Sequence, residues 1–546
     1  MRMLLTIKHL TGMNKRIKGV VLLWLGMMAG LSAYSQPSDP YFGETCTSIM
    51  VGKKATIDKS VITSHTCDGS YRTWLNVVPA ATFADTARHL VYKGTLKTES
   101  VNDKNGLTLV GSIPQVAQTY GYLNTAYPCL NEKQLGMGET TIVGRKELVN
   151  EKGMFNIEEL QRVALQRCTT AREAIKLMGS LVKQYGYGDW GESLTIADKK
   201  EVWLFEVFGE GPDRIGGVWA AQRIPDDHVG VSANFSRIGE IDLSQPDYFM
   251  ASDNVKEVAQ RLKLWDGTAP FKFWKAFSHI KKPFTIREFF ILSSFAPSLN
   301  LKYDADEIPF SVKPEKKVAV QDVFALYRTT YEGTFYDMTK NLKVVKTTYK
   351  KDGSVEKVDT VLYEGANPWM GKDEIAMYNA LKPGSVEFQR TVSVAWCSYS
   401  EIIQLRDWLP DEVGGVAWFS FDNPGQSPRL PIYSGNLSLP DSYSICGQQR
   451  YREDAALWSF RKANKLATVK WQKSRKTIET EVATLETKAL AEQPALEEQV
   501  KELVKKGKNK EAREVVTRYS NDFARSAMQR WTELERSFWG QFGRGF

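Results

Sequence analysis

Histidine is scarce in this chain, with five among 546 residues. His9 falls in a basic, apolar leader, and His89, His228 and His279 stand alone. Only His65, in "SHTCDG", has chemically interesting neighbours. A histidine triad or histidine-based metal centre therefore has few members to draw on. Familiar signatures are missing too. No GxGxxG opens a helix after a strand, and GxxxxGK[ST], HExxH and GxSxG do not occur. The six cysteines, Cys46, Cys67, Cys129, Cys168, Cys397 and Cys446, form no CxxC or zinc pattern. They are too few and too scattered to staple a chain of this length, although one or two pairs would suit an exported protein. Past the leader, no stretch reaches the ~18 apolar residues of a membrane span.

A strong excess of one charge is also lacking. The formal charge is +8, but residues 1–35 hold five bases (Arg2, Lys8, Lys15, Arg16, Lys18) and no acid. Removing those five leaves +3, and no long basic run follows, so a nucleic-acid partner is not expected. The leader itself reads as a secretory signal. Its bases precede "GVVLLWLGMMAGLSAYS", which ends in small residues and fits cleavage after Ser35. The expected location is therefore periplasmic or extracellular. Cys46 lies about ten residues too late for a lipid-anchor signal, counted from that small-residue site.

Four segments follow from composition. Residues 1–35 are the signal, and 36–45, "QPSDPYFGET", are a polar linker or propeptide. Residues 46–450 form one large domain, and 451–546 a helical region packed on it or extending from it. "CTSIMVG" and "SVITSHT" read as strands around the turn "KKATIDK". "NGLTLVGSI", "LGMGETTIVG", "ESLTIAD", "EVWLFEVFG", "GGVWAAQRIP" and "VGVSAN" continue the strand rhythm, which suggests antiparallel pairing. "NIEELQRVALQRCTTAREAIKLMGSLVKQYG" has helical periodicity. A mixed stretch runs from about 245 to 385, then "QRTVSVAWCSYS" and "GGVAWFSFDN" return to strand character. The Glu/Lys-rich end reads as helices with solvated faces. Strands first and helices last give an α+β class.

Cys46 carries the chemistry if the bond before it is cut. The residue then owns both a thiol and an α-amine. An α-amine has a pKa of about 7.7–8.0, so it can take the thiol proton at working pH. Nucleophile and base are then one residue, with no histidine required. A strand cysteine is otherwise ordinarily a small buried hydrophobe. A hairpin would bring Asp68 back towards Cys46, where it could hold an amine or serve only as a turn residue before Gly69. Arg72 can clamp a carboxylate or sit at the surface.

"CTSIMVGKKATIDKSVITSHTCDG", "YPCLNEKQLGMGETTIVGR", "GESLTIADKKEVWLFEVFG", "GGVWAAQRIPDDHVGVSANFSRIGEID", "LYRTTYEGTFYD" and "LPDEVGGVAWFSFDNPGQSPRLPIYSG" occur in this order. Together they resemble the cysteine N-terminal-nucleophile hydrolases of the dipeptidase A type. Those are distant relatives of penicillin V acylase and bile salt hydrolase. The resemblance runs from Cys46 to about residue 470. It implies an αββα sandwich of two antiparallel sheets, processing before the cysteine and hydrolysis of small peptides through a thioester. It implies no metal and no organic cofactor. Small peptides are the implied partners, no membrane is needed once the leader is removed, and a homo-oligomer stays open. Cys46 matches the nucleophile, Asp68 an acidic neighbour and Asn234 a pocket asparagine whose amide can serve an oxyanion. Glu139 and Thr141 fall near another pocket position. Relatives usually carry an arginine beside the thiol where this chain has "SHTCD". His65 takes that place, leaving Arg72, Arg237 or Arg390 to supply positive charge. An N-acyl amide hydrolase and a non-enzymatic surface protein are the rival readings.

Overall fold

The computed structural model describes residues 45–543. The expected signal and nearly all of the linker lie outside these residues. The first two strands, β1 (Thr45–Val51) and β2 (Val61–Asp68), pair antiparallel, with Cys46 opposite Cys67 and Thr45 opposite Asp68. The "KKATIDK" turn thus does return Asp68 to the start of β1. Every residue of β2 is buried, so this hairpin lies in the interior with protein on both faces.

The hairpin is the centre of a seven-stranded antiparallel sheet. Its order is Ser311–Val312, Val229–Ser232, β1, β2, Tyr399–Leu405, Gly415–Phe421 and Leu430–Tyr433. A second sheet of eight strands runs Phe249–Ala251, Gly217–Arg223, Val202–Gly209, Glu192–Ala197, Gly136–Thr141, Leu130–Asn131, Tyr122–Asn124 and Asn76–Val78. Its pairings are antiparallel as well. The two sheets meet through β1 and β2 against the strands 136–141 and 192–197.

Their contact is rich in hydroxyl groups. Thr63 Oγ1 lies 2.6 Å from Thr195 Oγ1, and Thr140 Oγ1 lies 2.6 Å from Ser232 Oγ. Such bonds satisfy buried polar groups that would otherwise cost a few kcal/mol each. The approach is close enough that a Cβ on Gly138 would fall 2.2 Å from the Ser64 carbonyl oxygen. Glycine is required there by space.

Helices cover the outer sides. Ile157–Arg167 and Ala171–Tyr185 pack on the eight-stranded sheet, the second started by a capping box of Thr170 and Glu173. One continuous periodic run in the sequence is thus two helices, parted at Cys168–Thr170. Val320–Arg328, Ala456–Val469 and Asn509–Phe542 pack on the seven-stranded sheet. The last pairs with Trp471–Lys505, the chain reversing near Gly507, whose φ of 69° suits glycine. Their buried faces carry Val482, Leu485, Ala489, Val516, Phe523 and Trp531. No helix of the described residues is long and apolar enough to cross a membrane.

Two further readings change. The strand expected in "QRTVSVAWCSYS" begins only at Tyr399, because residues 390–398 are spent on bonds that arrange Arg390, Ser393 and Ser398. In the mixed region, Lys343–Tyr349 and Val355–Leu362 form an exposed hairpin above a small separate core of Met338, Leu342, Ala366, Met370 and Val386. All six cysteines are buried and unbridged.

Candidate active site

The strand Gly136–Thr141 explains how the acids reach the thiol. Its pairing with Leu130–Asn131 ends early, at Gly136 opposite Leu130. At Glu139 the vacant edge is met by side chains of β1 and β2. Ser48 Oγ donates to the Glu139 carbonyl at 3.1 Å, and His65 Nδ1 lies 2.6 Å from the same oxygen. The Glu139 N–H lies 3.3 Å from the same nitrogen, but the shorter contact to the carbonyl assigns the proton to Nδ1 and the lone pair to Nε2. Burial pushes the His65 pKa down to about 4, so the ring is neutral. Its Nε2 is buried without a partner.

Cys46 is 1% exposed, and its Sγ donates to Glu139 Oε2 at 3.4 Å. Burial raises the thiol pKa well above its ordinary value, and the nearby Glu139, Cys67 and Asp68 raise it further. With Thr45 still attached, the Cys46 nitrogen is a peptide N–H. It donates to Asn234 Oδ1 at 2.9 Å. Asn234 follows the strand Val229–Ser232 with φ of 70°, a left-handed conformation that asparagine tolerates better than most residues. Its Nδ2 donates to the Thr141 carbonyl at 2.8 Å. Thr141 Oγ1 in turn donates to Glu139 Oε1 at 3.3 Å.

A residue that the sequence did not single out completes this shell. Arg287, in the helix Ile286–Phe295, donates to the Cys46 carbonyl at 2.6 Å, to Asn234 Oδ1 at 2.8 Å and to Thr47 Oγ1 at 3.0 Å. The Thr285–Glu288 capping box fixes the start of that helix, and Glu288 also accepts from the Ala233 N–H at 2.9 Å. Arg287 and Asn234 are thereby locked together. "TIREFF" carries a helix-start signal, but nothing in it points to a cysteine 241 positions away.

Asp68 is fully buried and forms an ion pair with Arg390 at 2.7 Å. Its Oδ2 also accepts from Thr66 Oγ1 at 2.9 Å. Arg390 reaches Thr45 Oγ1 at 2.5 Å as well. Arg72 and Arg237 are placed elsewhere. Arg72 donates to the Thr125 carbonyl at 2.5 Å and lies 4.0 Å from the Trp74 ring centroid. Arg237 donates to the carbonyls of Pro283 and Pro309 at 2.5 and 2.6 Å. Neither bonds to Cys46, Asp68, Glu139, Thr141 or Asn234. Both guanidinium groups are used to satisfy backbone oxygens, so the positive charge beside the thiol comes from Arg287 and Arg390.

Glu192 is the second residue that the sequence reading missed. It stands opposite Thr141 across the strand pair, on the face shared with Glu139. Burial raises both carboxyls, Glu139 to about 7 and Glu192 well above its usual range; Glu139 raises Glu192 further, whereas a hydrogen bond from Glu192 eases the ionisation of Glu139. Ligand atoms of Cys46, His65 and Glu139 also lie within 4.8 Å of one another. Thiolate, imidazole and carboxylate are zinc-compatible donors, so an added soft dication has a place to bind beside the thiol.

A buried thiol, its own backbone nitrogen held by an asparagine, and flanking arginine and carboxylate groups stand together in an α+β frame. The chain belongs to peptidase family C69, whose profile matches residues 45–484. The match starts one residue before Cys46. The chain is 27% identical over 424 residues to a protein named probable dipeptidase from Latilactobacillus sakei, covering 73% of this chain and 76% of that protein. It is 23% identical over 540 residues to a probable dipeptidase B of Streptococcus pyogenes serotype M1, covering 96% of each. A probable dipeptidase of Salmonella dublin is 25% identical over 411 residues, covering 71% of this chain and 81% of the relative.

Proposed function

We propose that this peptidase is an exported cysteine dipeptidase that matures by loss of the residues before Cys46. In this reading the two facing sheets with helices outside are the αββα sandwich of an N-terminal-nucleophile hydrolase. The observation that carries the reading is the double hold on Cys46. Asn234 accepts from its nitrogen at 2.9 Å and Arg287 donates to its carbonyl at 2.6 Å. A structural cysteine needs neither contact, whereas a residue serving as both base and nucleophile needs its backbone nitrogen fixed.

Once Thr45 is removed, that nitrogen is an amine. The amine takes the thiol proton, and Sγ attacks the scissile carbonyl of the bound dipeptide. Negative charge moves to the carbonyl oxygen, where the second N–H of the Asn234 amide is available as donor. The Cys46 ammonium returns its proton to the departing amine, and the C–N bond breaks, leaving a thioester. Water then adds to the thioester, the amine accepting its proton, and the acid leaves as the thiol is restored. Arg390 is the candidate for the substrate carboxylate, since removing Thr45 takes away one of its two side-chain partners.

Intact mass and N-terminal sequencing of the active protein test the reading. The expected N-terminus is Cys46, and Cys46→Ala should abolish dipeptide hydrolysis. Iodoacetamide should inactivate, while EDTA should not. A fully active preparation that still begins at Gln36 would refute the maturation step. Equal kcat/KM for a dipeptide and its N-acetyl form would favour an N-acyl amide hydrolase instead.

A further inference from the structure

The charges around Cys46 are unevenly satisfied. Asp68 has Arg390 against it at 2.7 Å. Glu139 and Glu192 are 0% and 4% exposed, and among the described residues neither forms an ion pair. Burying carboxylates without a cation is costly, so a purely structural role would be better served by glutamine or by a paired arginine. Two further atoms sharpen the point. Glu192 Oε2 and His65 Nε2 are buried and without hydrogen-bond partners. Both are acceptors. Glu139 already accepts from Cys46 Sγ and Thr141 Oγ1, whereas Glu192 Oε2 and His65 Nε2 are left without a donor.

We propose that Glu139 and Glu192 form the receptor for the α-ammonium group of the substrate. This rests on the dipeptidase reading and names the group by which the site selects its substrate. The geometry fits that role. In a dipeptide the α-nitrogen lies about 2.5 Å from the scissile carbonyl carbon by standard bond lengths. A thiol poised for attack stands about 3–3.5 Å from that carbon. An ammonium–carboxylate hydrogen bond spans about 2.8 Å. The receiving oxygen must then lie within a few ångströms of the sulfur, and Glu139 Oε2 is 3.4 Å from Sγ. Thr141 Oγ1 orients Glu139 from the far side, donating to Oε1. The register places Glu192 on the same face.

Arg287 and Arg390 are the cations close to the thiol, and both are already engaged, Arg287 with the Cys46 carbonyl and Asn234 Oδ1 and Arg390 with Asp68. Neither is bonded to Glu139 or Glu192, so an arriving ammonium supplies the positive charge that this pair lacks.

Calorimetry with L-alaninol, a primary ammonium without a scissile bond, tests this on the mature enzyme. Alaninol should bind at least tenfold more tightly than N-acetyl-L-alaninol. Glu192→Gln should weaken alaninol at least tenfold. Glu192→Asp, which keeps the charge, should recover part of that affinity, and a cooperative thermal transition in each variant shows that it is folded. Equal affinity for alaninol and its acetylated form, or unchanged alaninol binding in Glu192→Gln, would overturn the assignment. If alaninol binds as expected but no dipeptide is cleaved, the ammonium receptor stands and the dipeptidase reading falls.

Discussion

Replacing Asn234 removes three hydrogen bonds at once, and the structure allows the cost to be divided. Oδ1 accepts from the Cys46 nitrogen at 2.9 Å and from Arg287 at 2.8 Å, and Nδ2 donates to the Thr141 carbonyl at 2.8 Å. At about 1 kcal/mol net per bond, their loss costs about 3 kcal/mol. Asn234→Ala adds strain, because φ is 70° and an alanine Cβ opposes the left-handed conformation by about 1 kcal/mol. Asn234→Gly loses the same bonds without that strain. The expected order in urea midpoint is therefore wild type, then glycine, then alanine. Both variants should lose about 10²–10³ in kcat if the amide serves the oxyanion, with KM changing much less. Alanine and glycine variants of equal stability would refute the strain argument. A kcat within threefold of wild type would refute the catalytic one, provided the N-terminus has matured normally.

Three other perturbations follow from the buried charges. Arg390→Met leaves Asp68 buried without its cation and should destabilise by about 3–5 kcal/mol, read from chemical denaturation. Glu158 lies away from the thiol, accepts from Thr95 Oγ1 at 3.1 Å, and is raised by burial to about 7. Because its folded pKa exceeds its unfolded one, its contribution to stability falls as pH rises from about 4.5 to 7. Glu158→Gln should match wild type near pH 4 and gain up to about 3 kcal/mol by pH 8, taking about 1.4 kcal/mol per unit. The groups facing Cys46 are buried, so kcat/KM should change less than about threefold between 20 mM and 500 mM salt, whereas steering by surface charge would give a steep fall.

The start of the site was readable because its parts are close in sequence. Cys46, His65 and Asp68 lie on one hairpin, and alternation with a turn is enough to pair β1 with β2. The strands of the second sheet were legible for the same reason, each being a short apolar run between turns. What decides the chemistry is non-local. Arg287 meets Cys46 across 241 positions and Arg390 meets Asp68 across 322. Neither arginine sits in a pattern that periodicity can detect. Arg72 and Arg237 looked equally suitable by composition, yet both are spent on backbone carbonyls. Glu192 was hidden differently. In "GESLTIAD" it reads as the polar first residue of a strand, and only the register opposite Thr141 places it with Glu139.

That placement bears on why the centre uses so little histidine. A histidine base would need a partner to hold its tautomer and solvent or charge to keep its pKa near neutral. His65 has the first, through the Glu139 carbonyl, but burial draws its pKa down to about 4. A weak, neutral imidazole is a poor acceptor for a thiol whose own pKa burial has raised. Glu139 can accept from the thiol but shares a face with another acid, so its negative charge opposes formation of a thiolate. Neither group offers the Cys46 thiol a base while Thr45 is attached. An α-amine on Cys46 would resolve it, held by Asn234 and adjacent to the thiol within the same residue. Arg287, bonded to both Cys46 and Asn234, would then oppose excess protonation of that amine through like charge. The same arginine that fixes the geometry would thereby keep the base available near neutral pH.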